Sequence, residues 1–137
     1  MGLLNLFGKK DVSADLGKRF PYDVRTEFVP YKLKSRQKTT SSLVVRLKNT
    51  TSEPLLSSIA IDVPKQLSLD TLGLAKQKEI RLGTLAPGEE KESRIDINSD
   101  VGTEKGEYTV TLTAFAHYRD YGHVLNAMKK TAILEAV

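Results

Sequence analysis

The chain of 137 residues contains no cysteine. This absence excludes disulfide bonds, thiolate metal sites and a cysteine nucleophile, and it fits a reducing compartment. Histidine is nearly as scarce, with only His117 and His123, and Asp120 between them. A structural metal site usually takes three or four protein ligands, and the sequence offers no obvious complement to these side chains. We therefore expect neither a metal ion nor any other cofactor.

Long apolar runs are also missing. No window approaches the ~20 apolar residues that a membrane-spanning helix needs. The first ten residues, MGLLNLFGKK, are apolar and then basic, which is the reverse of the order in a secretory signal peptide. The sequence therefore predicts a cytoplasmic protein.

The motifs of the common enzyme classes are absent as well. The sequence has no phosphate-binding Gly-x-x-x-x-Gly-Lys-Ser/Thr loop, no Gly-x-Gly-x-x-Gly and no Gly-x-Ser-x-Gly. No spacing marks a nucleophile with its base, or a pair of carboxylates. These absences favour a protein that is not an enzyme.

The composition, with 39% hydrophobic and 28% charged residues, is that of an ordinary globular domain. The charge is uneven along the chain. Residues 1–38 hold nine Lys and Arg against four Asp and Glu, a surplus of five, whereas residues 39–137 hold twelve against thirteen. The whole net charge of +4 thus comes from the N-terminal part. This asymmetry is typical of a segment with an anionic partner, and an ordinary solvated surface explains it as well.

Apolar residues alternate with polar ones in seven short segments, the pattern of half-buried strands. These segments are 22–29, 42–49, 58–63, 79–82, 93–98, 106–118 and 124–137. Residues 67–76 fit neither the strand nor the helix period, so a short helix and an irregular crossover both stay open. Short strands at intervals of about a dozen residues, without helices between them, predict an antiparallel β-sandwich or barrel.

Between two of these strands lies the turn Ala86-Pro87-Gly88-Glu89. Proline fixes the φ that the second residue of a type II turn needs, and glycine supplies the positive φ of the third. Because a type II turn suits the twist of a tight hairpin poorly, we expect the chain either to pass between two sheets here or to make a wider link. The preceding Leu85 would then enter the core.

The segments "VVRLKNTTSEPL", "IAIDVPKQL", "IRLGTLAPGEEKES" and "KGEYTVTLTA" together resemble cell-adhesion-related (CARDB-type) domains of archaeal and bacterial proteins. The resemblance covers about residues 42–114. It implies an all-β, immunoglobulin-like antiparallel β-sandwich of about seven strands, here 21–137, after an N-terminal tail, 1–20. Gly-x-Tyr at 106–108 is similar to a tyrosine corner, in which the Tyr108 hydroxyl would bond back to the backbone. Arrestin-like sandwiches share the general pattern and remain an alternative.

Two candidate partner-binding segments lie in the basic N-terminal part. Leu3, Leu4 and Phe7, followed by Lys9 and Lys10, would form a short amphipathic segment that dips into a membrane interface or a partner's groove. A frayed or self-packed terminus explains the same residues. The second segment, if extended, projects four cations on one side: Lys32, Lys34, Arg36 and Lys38. A charged edge strand explains this row equally well, and the lack of interleaved aromatics disfavours nucleic acid.

The third candidate is the loop 117–123, which holds Tyr118, Arg119 and Tyr121. Tyr and Arg are enriched at interface hot spots, and the end loops of a sandwich commonly bind partners. The alternative is that Tyr118 ends the core face of the strand and Tyr121 caps the turn.

These observations lead to one main functional hypothesis. The chain is a non-catalytic protein-interaction or assembly module, tethered to a protein partner or to an anionic membrane surface by its N-terminal segment. The alternative is an arrestin-like or nucleic-acid-associated adaptor that binds an anionic partner through the basic N-terminal region.

Overall fold

The computed structural model describes residues 20–137. Eight β-strands follow one another in this range: β1 (Tyr22–Val29), β2 (Lys32–Leu33), β3 (Thr40–Asn49), β4 (Leu55–Asp62), β5 (Gln77–Leu85), β6 (Glu90–Asn98), β7 (Gly106–His117) and β8 (Val124–Ala136). The predicted all-β class is confirmed. The sequence did not indicate β2, because two residues are too few to show an alternation.

The strands form two sheets, with the order β1-β3-β6 in one and β2-β8-β7-β4-β5 in the other. Every neighbouring pair is antiparallel except β2 and β8, which run parallel. The first two strands along the chain are both edge strands, but β1 lies at the edge of the smaller sheet and β2 at the edge of the larger one. This arrangement is an immunoglobulin-like sandwich, as predicted. Within residues 20–137 there is no helix that could span a membrane.

The core lies between the two sheets and is filled by the alternating residues that the sequence assigned to inner faces. Fully buried side chains come from both sheets: Leu43, Val45 and Leu47 of β3, Ile59 and Ile61 of β4, Ile95 and Ile97 of β6, and Val110, Leu112 and Leu134 of β7 and β8. One inner position of β8 is charged. The Lys130 Nζ donates to the Val24 carbonyl oxygen of β1 at 2.9 Å, so its ammonium group lies between the two sheet edges.

The Pro-Gly turn is a type II turn, as expected. The Glu89 N–H donates to the Ala86 carbonyl at 2.9 Å, and Gly88 has φ +79°. It joins β5 of the larger sheet to β6 of the smaller one, and Leu85 beside it is buried. The predicted passage between sheets is therefore confirmed, and this turn serves the fold.

The tyrosine corner is present too. The Tyr108 hydroxyl donates to the Glu104 carbonyl oxygen at 2.6 Å, which ties the start of β7 to the loop before it.

Residues 67–76 form an irregular crossover and not a helix. The Asp70 carboxylate accepts the backbone N–H groups of Leu74 at 2.9 Å and of Ala75 at 3.1 Å. These bonds, the one from Ala75 first, hold the pKa of Asp70 below its usual range. Leu67 and Leu69 are buried while Leu72 and Leu74 are exposed, which explains why the leucines fit neither period.

The loops cluster at two opposite ends of the sandwich. The hairpin end comprises residues 20–21, 49–54, 86–89 and 118–123. The basic end comprises residues 30–39, 63–76 and 99–105, which hold seven Lys and Arg against three Asp and Glu.

Candidate functional site

The loop 118–123 has an unusual backbone. The Asp120 N–H donates to the Tyr118 carbonyl at 2.8 Å, and Arg119 between them has φ 69°. A three-residue turn with positive φ at its centre is the rarer and more strained form of γ-turn. Such strain persists only where the surroundings hold it, and it is concentrated at functional sites.

The Asp120 carboxylate stabilises this loop through contacts with two residues of the loop itself. Its Oδ1 accepts the Gly122 N–H at 2.9 Å and lies 2.8 Å from the Nδ1 of His123. The bond to His123, followed by the one from Gly122, holds the pKa of Asp120 below its usual range. No cluster of three or more His, Cys, Asp or Glu side chains that could hold a metal ion occurs in the described part of the chain.

Tyr121 fastens the loop to the body of the larger sheet. Its hydroxyl accepts the Gly83 N–H of β5 at 2.9 Å, and its ring meets the His117 ring edge-on at 5.0 Å. The Arg81 guanidinium lies 4.7 Å from the centre of the same ring. Tyr121 is thus committed to contacts within the domain, which agrees with the alternative that it caps the turn.

His117, which directly precedes the loop, is a buried polar residue and only 5% exposed. Its Nε2 lies 2.7 Å from the Ser58 hydroxyl, whereas its Nδ1 is buried without a partner among the described atoms. The sequence placed His117 at the end of a strand but gave no sign of the bond to Ser58, because that pairing joins residues 59 positions apart.

Tyr118 and Arg119, in contrast, point to solvent. Tyr118 is 50% exposed, and the Arg119 guanidinium lies 5.0 Å from the centre of its ring. Beside them an open groove of about 550 Å³ runs between the loop and the strands β4 and β8. Its lining consists of Thr51, Glu53, Pro54, Leu55, Leu56, Thr84, His117, Tyr118, Arg119 and Leu125. The groove therefore offers apolar side chains with one acidic and one basic residue among them.

The segment 32–38 is extended only at Lys32 and Leu33, so the condition for a one-sided row of cations is not met. The chain turns at residues 35–37, where Arg36 has φ 58° and its N–H donates to the Thr103 carbonyl at 2.7 Å. Lys32 pairs with Glu135 at 3.3 Å, and Arg36 pairs with Glu104 at 2.8 Å. Lys34 and Lys38 are exposed without an acidic partner in the described region, so the four cations belong to the basic end but not to one extended strand.

The remaining candidates, Leu3, Leu4, Phe7, Lys9 and Lys10, lie outside the described residues. The structure does show where the chain enters the sandwich. The Thr50 N–H donates to the Pro21 carbonyl at 3.0 Å, which places the entry at the hairpin end, opposite to the basic end.

Comparison with known proteins adds information on the fold. No protein-family model matches the chain, and no curated protein sequence does. The structure of native alpha-2-macroglobulin from Escherichia coli, from domain MG7 to the C-terminus, is similar at 17% identity over 85% of this chain, with a TM-score of 0.60. This chain spans only 17% of that structure. A FixG-related protein from Vibrio parahaemolyticus matches at 8% identity over 86% of this chain and 98% of its own, with a TM-score of 0.55.

A CARDB domain of a Pyrococcus furiosus protein is also among the matched structures, at 17% identity over 93% of this chain and 100% of its own, with a TM-score of 0.48. At such identities a likeness concerns the fold alone. The first two structures, with TM-scores above 0.5, share the fold of this chain, whose two sheets form an immunoglobulin-like β-sandwich, the architecture that the sequence predicted.

Proposed function

We propose that this chain is a non-catalytic protein-interaction or assembly module that binds a protein segment at its hairpin end. The observation that carries the proposal is the exposed pair Tyr118 and Arg119, presented on a strained γ-turn beside an open, partly apolar groove. Immunoglobulin-like sandwiches commonly bind partners through the loops at one end.

The loop is suited to binding because it is ordered before a partner arrives. Asp120 braces it from inside and Tyr121 ties it to β5, so little conformational entropy remains to be lost on association. Tyr118 offers a large amphipathic surface, and Arg119 offers a charged hydrogen-bond donor. Tyrosine and arginine are among the residue types that contribute most to the binding energy of protein interfaces. Leu55, Leu56 and Leu125 would contact apolar side chains of the partner in the groove.

A second part of the proposal concerns the tail. Residues 3–10 would tether the module, through Leu3, Leu4 and Phe7 in an apolar environment and Lys9 and Lys10 on an anionic surface, either a partner or a membrane. Since the tail joins the sandwich at the hairpin end, it would act close to the groove.

The first test replaces Tyr118 by serine and Arg119 by glycine. Glycine accepts the positive φ at position 119, so the double variant should melt at the parent's temperature or slightly above it. We expect its affinity for the partner to fall by a factor of about ten or more. A photo-crosslinking amino acid at position 118, in native lysate, identifies the partner for this measurement.

A crosslinker at Ile133, which is exposed on the outer face of β8, serves as the matched control. Crosslinking to the same protein from both positions, or equal affinities of parent and double variant, would show that the hairpin end is not the binding surface.

The second test removes residues 1–19. Within residues 20–137 the core extends from Tyr22 to Ala136, so we expect the chain that starts at Phe20 to melt at nearly the parent's temperature. We expect it to sediment with anionic vesicles less than the full chain does, because the apolar and basic side chains of the tail are gone. Equal binding would disprove the tether, and a large drop in melting temperature would mean that the tail is part of the folded domain.

A further inference from the structure

Three large aliphatic side chains are almost fully exposed at the basic end. Leu72 and Leu74 of the β4–β5 loop and Val101 of the β6–β7 loop are 77%, 75% and 73% exposed. Leu72 and Val101 line one shallow groove of about 360 Å³ together with Lys38. Scattered surface leucines need no explanation, but three on two neighbouring loop tips, next to a cation, mark an interaction surface.

Internal hydrogen bonds hold these tips in place. The backbones of Ser68 and Asn98 bond to each other in both directions, at 3.0 and 2.8 Å, which joins the two loops at their base. Asp70 accepts the N–H of Leu74 at 2.9 Å, and the Asp100 carboxylate accepts the N–H of Gly102 at 2.7 Å. The aliphatic side chains are therefore displayed by structured turns that would not need to order on binding.

The charge of the domain is separated between its two ends. The loops of the basic end carry seven cationic and three anionic side chains, a surplus of four, whereas those of the hairpin end carry one against three. The remaining strand residues hold nine of each sign and contribute nothing. The electrostatic potential of the described residues is therefore positive at the end that displays the three aliphatic side chains.

We propose that the basic end is a membrane-docking face, which places Leu72, Leu74 and Val101 in the interface of an anionic bilayer and brings the exposed cations of the same end, Lys34, Lys38 and Lys65, to its headgroups. Aliphatic side chains that enter the acyl boundary, beside cations at headgroup level, match the chemistry of such a surface. Tyr31, which is exposed at the same end with the Lys32 ammonium 5.5 Å from its ring centre, is also of a type that favours this depth.

A lipid surface fits these features better than nucleic acid or protein. Bases stack on aromatic rings, and the basic end offers Tyr31 alone beside its aliphatic loop tips. An anionic bilayer offers mobile headgroups to Lys34, Lys38 and Lys65 together, wherever these side chains lie around the aliphatic tips. The inference does not depend on the partner of the hairpin end. With β8 spanning roughly 40 Å along the sandwich, docking of the basic end would hold the groove away from the bilayer.

The experiment measures binding of the full chain to phosphatidylcholine vesicles with and without phosphatidylserine, at low and high salt. We expect binding only to the anionic vesicles, and its loss as salt rises. The double variant Leu72→Ser and Leu74→Ser should bind about tenfold more weakly at an unchanged melting temperature, since both side chains are exposed in the free protein. Lys34→Glu with Lys38→Glu should weaken binding at least as much.

The chain contains no tryptophan, so a single Val101→Trp variant reports insertion of this loop directly. Its fluorescence should shift to shorter wavelength on anionic vesicles, whereas Leu125→Trp at the hairpin end should not shift. The matched control Val124→Ser, at an exposed aliphatic position of the hairpin end outside the groove, should bind like the parent. The proposal is overturned if the full chain does not bind anionic vesicles or if the two leucine replacements leave vesicle binding unchanged. It is also overturned if the fluorescence of Leu125→Trp shifts on anionic vesicles and that of Val101→Trp does not. Loss of all binding on removal of residues 1–19 would equally overturn it, and would leave the tether alone as the lipid contact.

Discussion

Replacing Asn49 by aspartate should lower the free energy of unfolding at neutral pH by about 3 kcal/mol or more. Asn49 is fully buried, and its Nδ2 donates to the carbonyl oxygens of Glu53 at 2.8 Å and of Leu85 at 2.9 Å. Its Oδ1 accepts from the Thr51 N–H at 2.8 Å. An aspartate of the same shape would keep the acceptor, but it would turn two hydrogen bonds into contacts between a carboxylate and two carbonyl oxygens.

The pH dependence distinguishes this cause from general damage. Burial and the two carbonyls would raise the folded-state pKa of the new carboxyl, because the neutral acid can still donate one hydrogen bond. The loss relative to the parent should therefore be complete above that raised pKa and should shrink as pH falls below it. Urea unfolding at several pH values measures this difference. Asn126→Asp, at an exposed position of β8, should be nearly neutral throughout, and a similar loss there would refute the role given to Asn49.

The second large effect is expected in the core. Ile61→Ala should cost about 2–5 kcal/mol of unfolding free energy. Ile61 is fully buried on β4, between Leu112 of β7 and Lys78 of β5, inside the larger sheet. Neighbouring strands on both sides restrict collapse around the smaller side chain, so a cavity should remain.

The chain provides its own control for this substitution. Ile133→Ala removes the same atoms from the outer face of β8, where the side chain is 53% exposed, and should cost well under half as much. Ile61→Val, which removes one methyl group, should fall between, at about 0.5–1.5 kcal/mol. Chemical denaturation of the three variants checks the order. Equal losses for Ile61→Ala and Ile133→Ala would contradict the assignment of inner and outer faces.

Seven of the eight strands, and the residues on their inner faces, could be predicted from the sequence because both depend on local patterns. Alternation along β1 and β7 places side chains on opposite faces whatever the partner strand is, and the bounds of β1 were predicted to the residue. The turn at Pro87 and Gly88 could also be predicted from the sequence, since the φ angles of proline and glycine favour a type II turn without any tertiary contact. The tyrosine corner at Tyr108 also spans only four residues.

Features that depend on contacts between distant segments could not be predicted from the sequence and are visible only in the tertiary structure. A one-sided row of cations requires an extended segment, yet the bond from Arg36 to Thr103, residues 67 positions apart in the chain, bends this segment into a loop of the basic end. Tyr121 is of a residue type that is common at interfaces, but in the structure its hydroxyl accepts a hydrogen bond from the Gly83 N–H. The exposure of Leu72, Leu74 and Val101 depends on how two loops meet at Ser68 and Asn98. A leucine in an irregular segment has no period to mark its face, so only packing separates the buried Leu69 from the exposed Leu72.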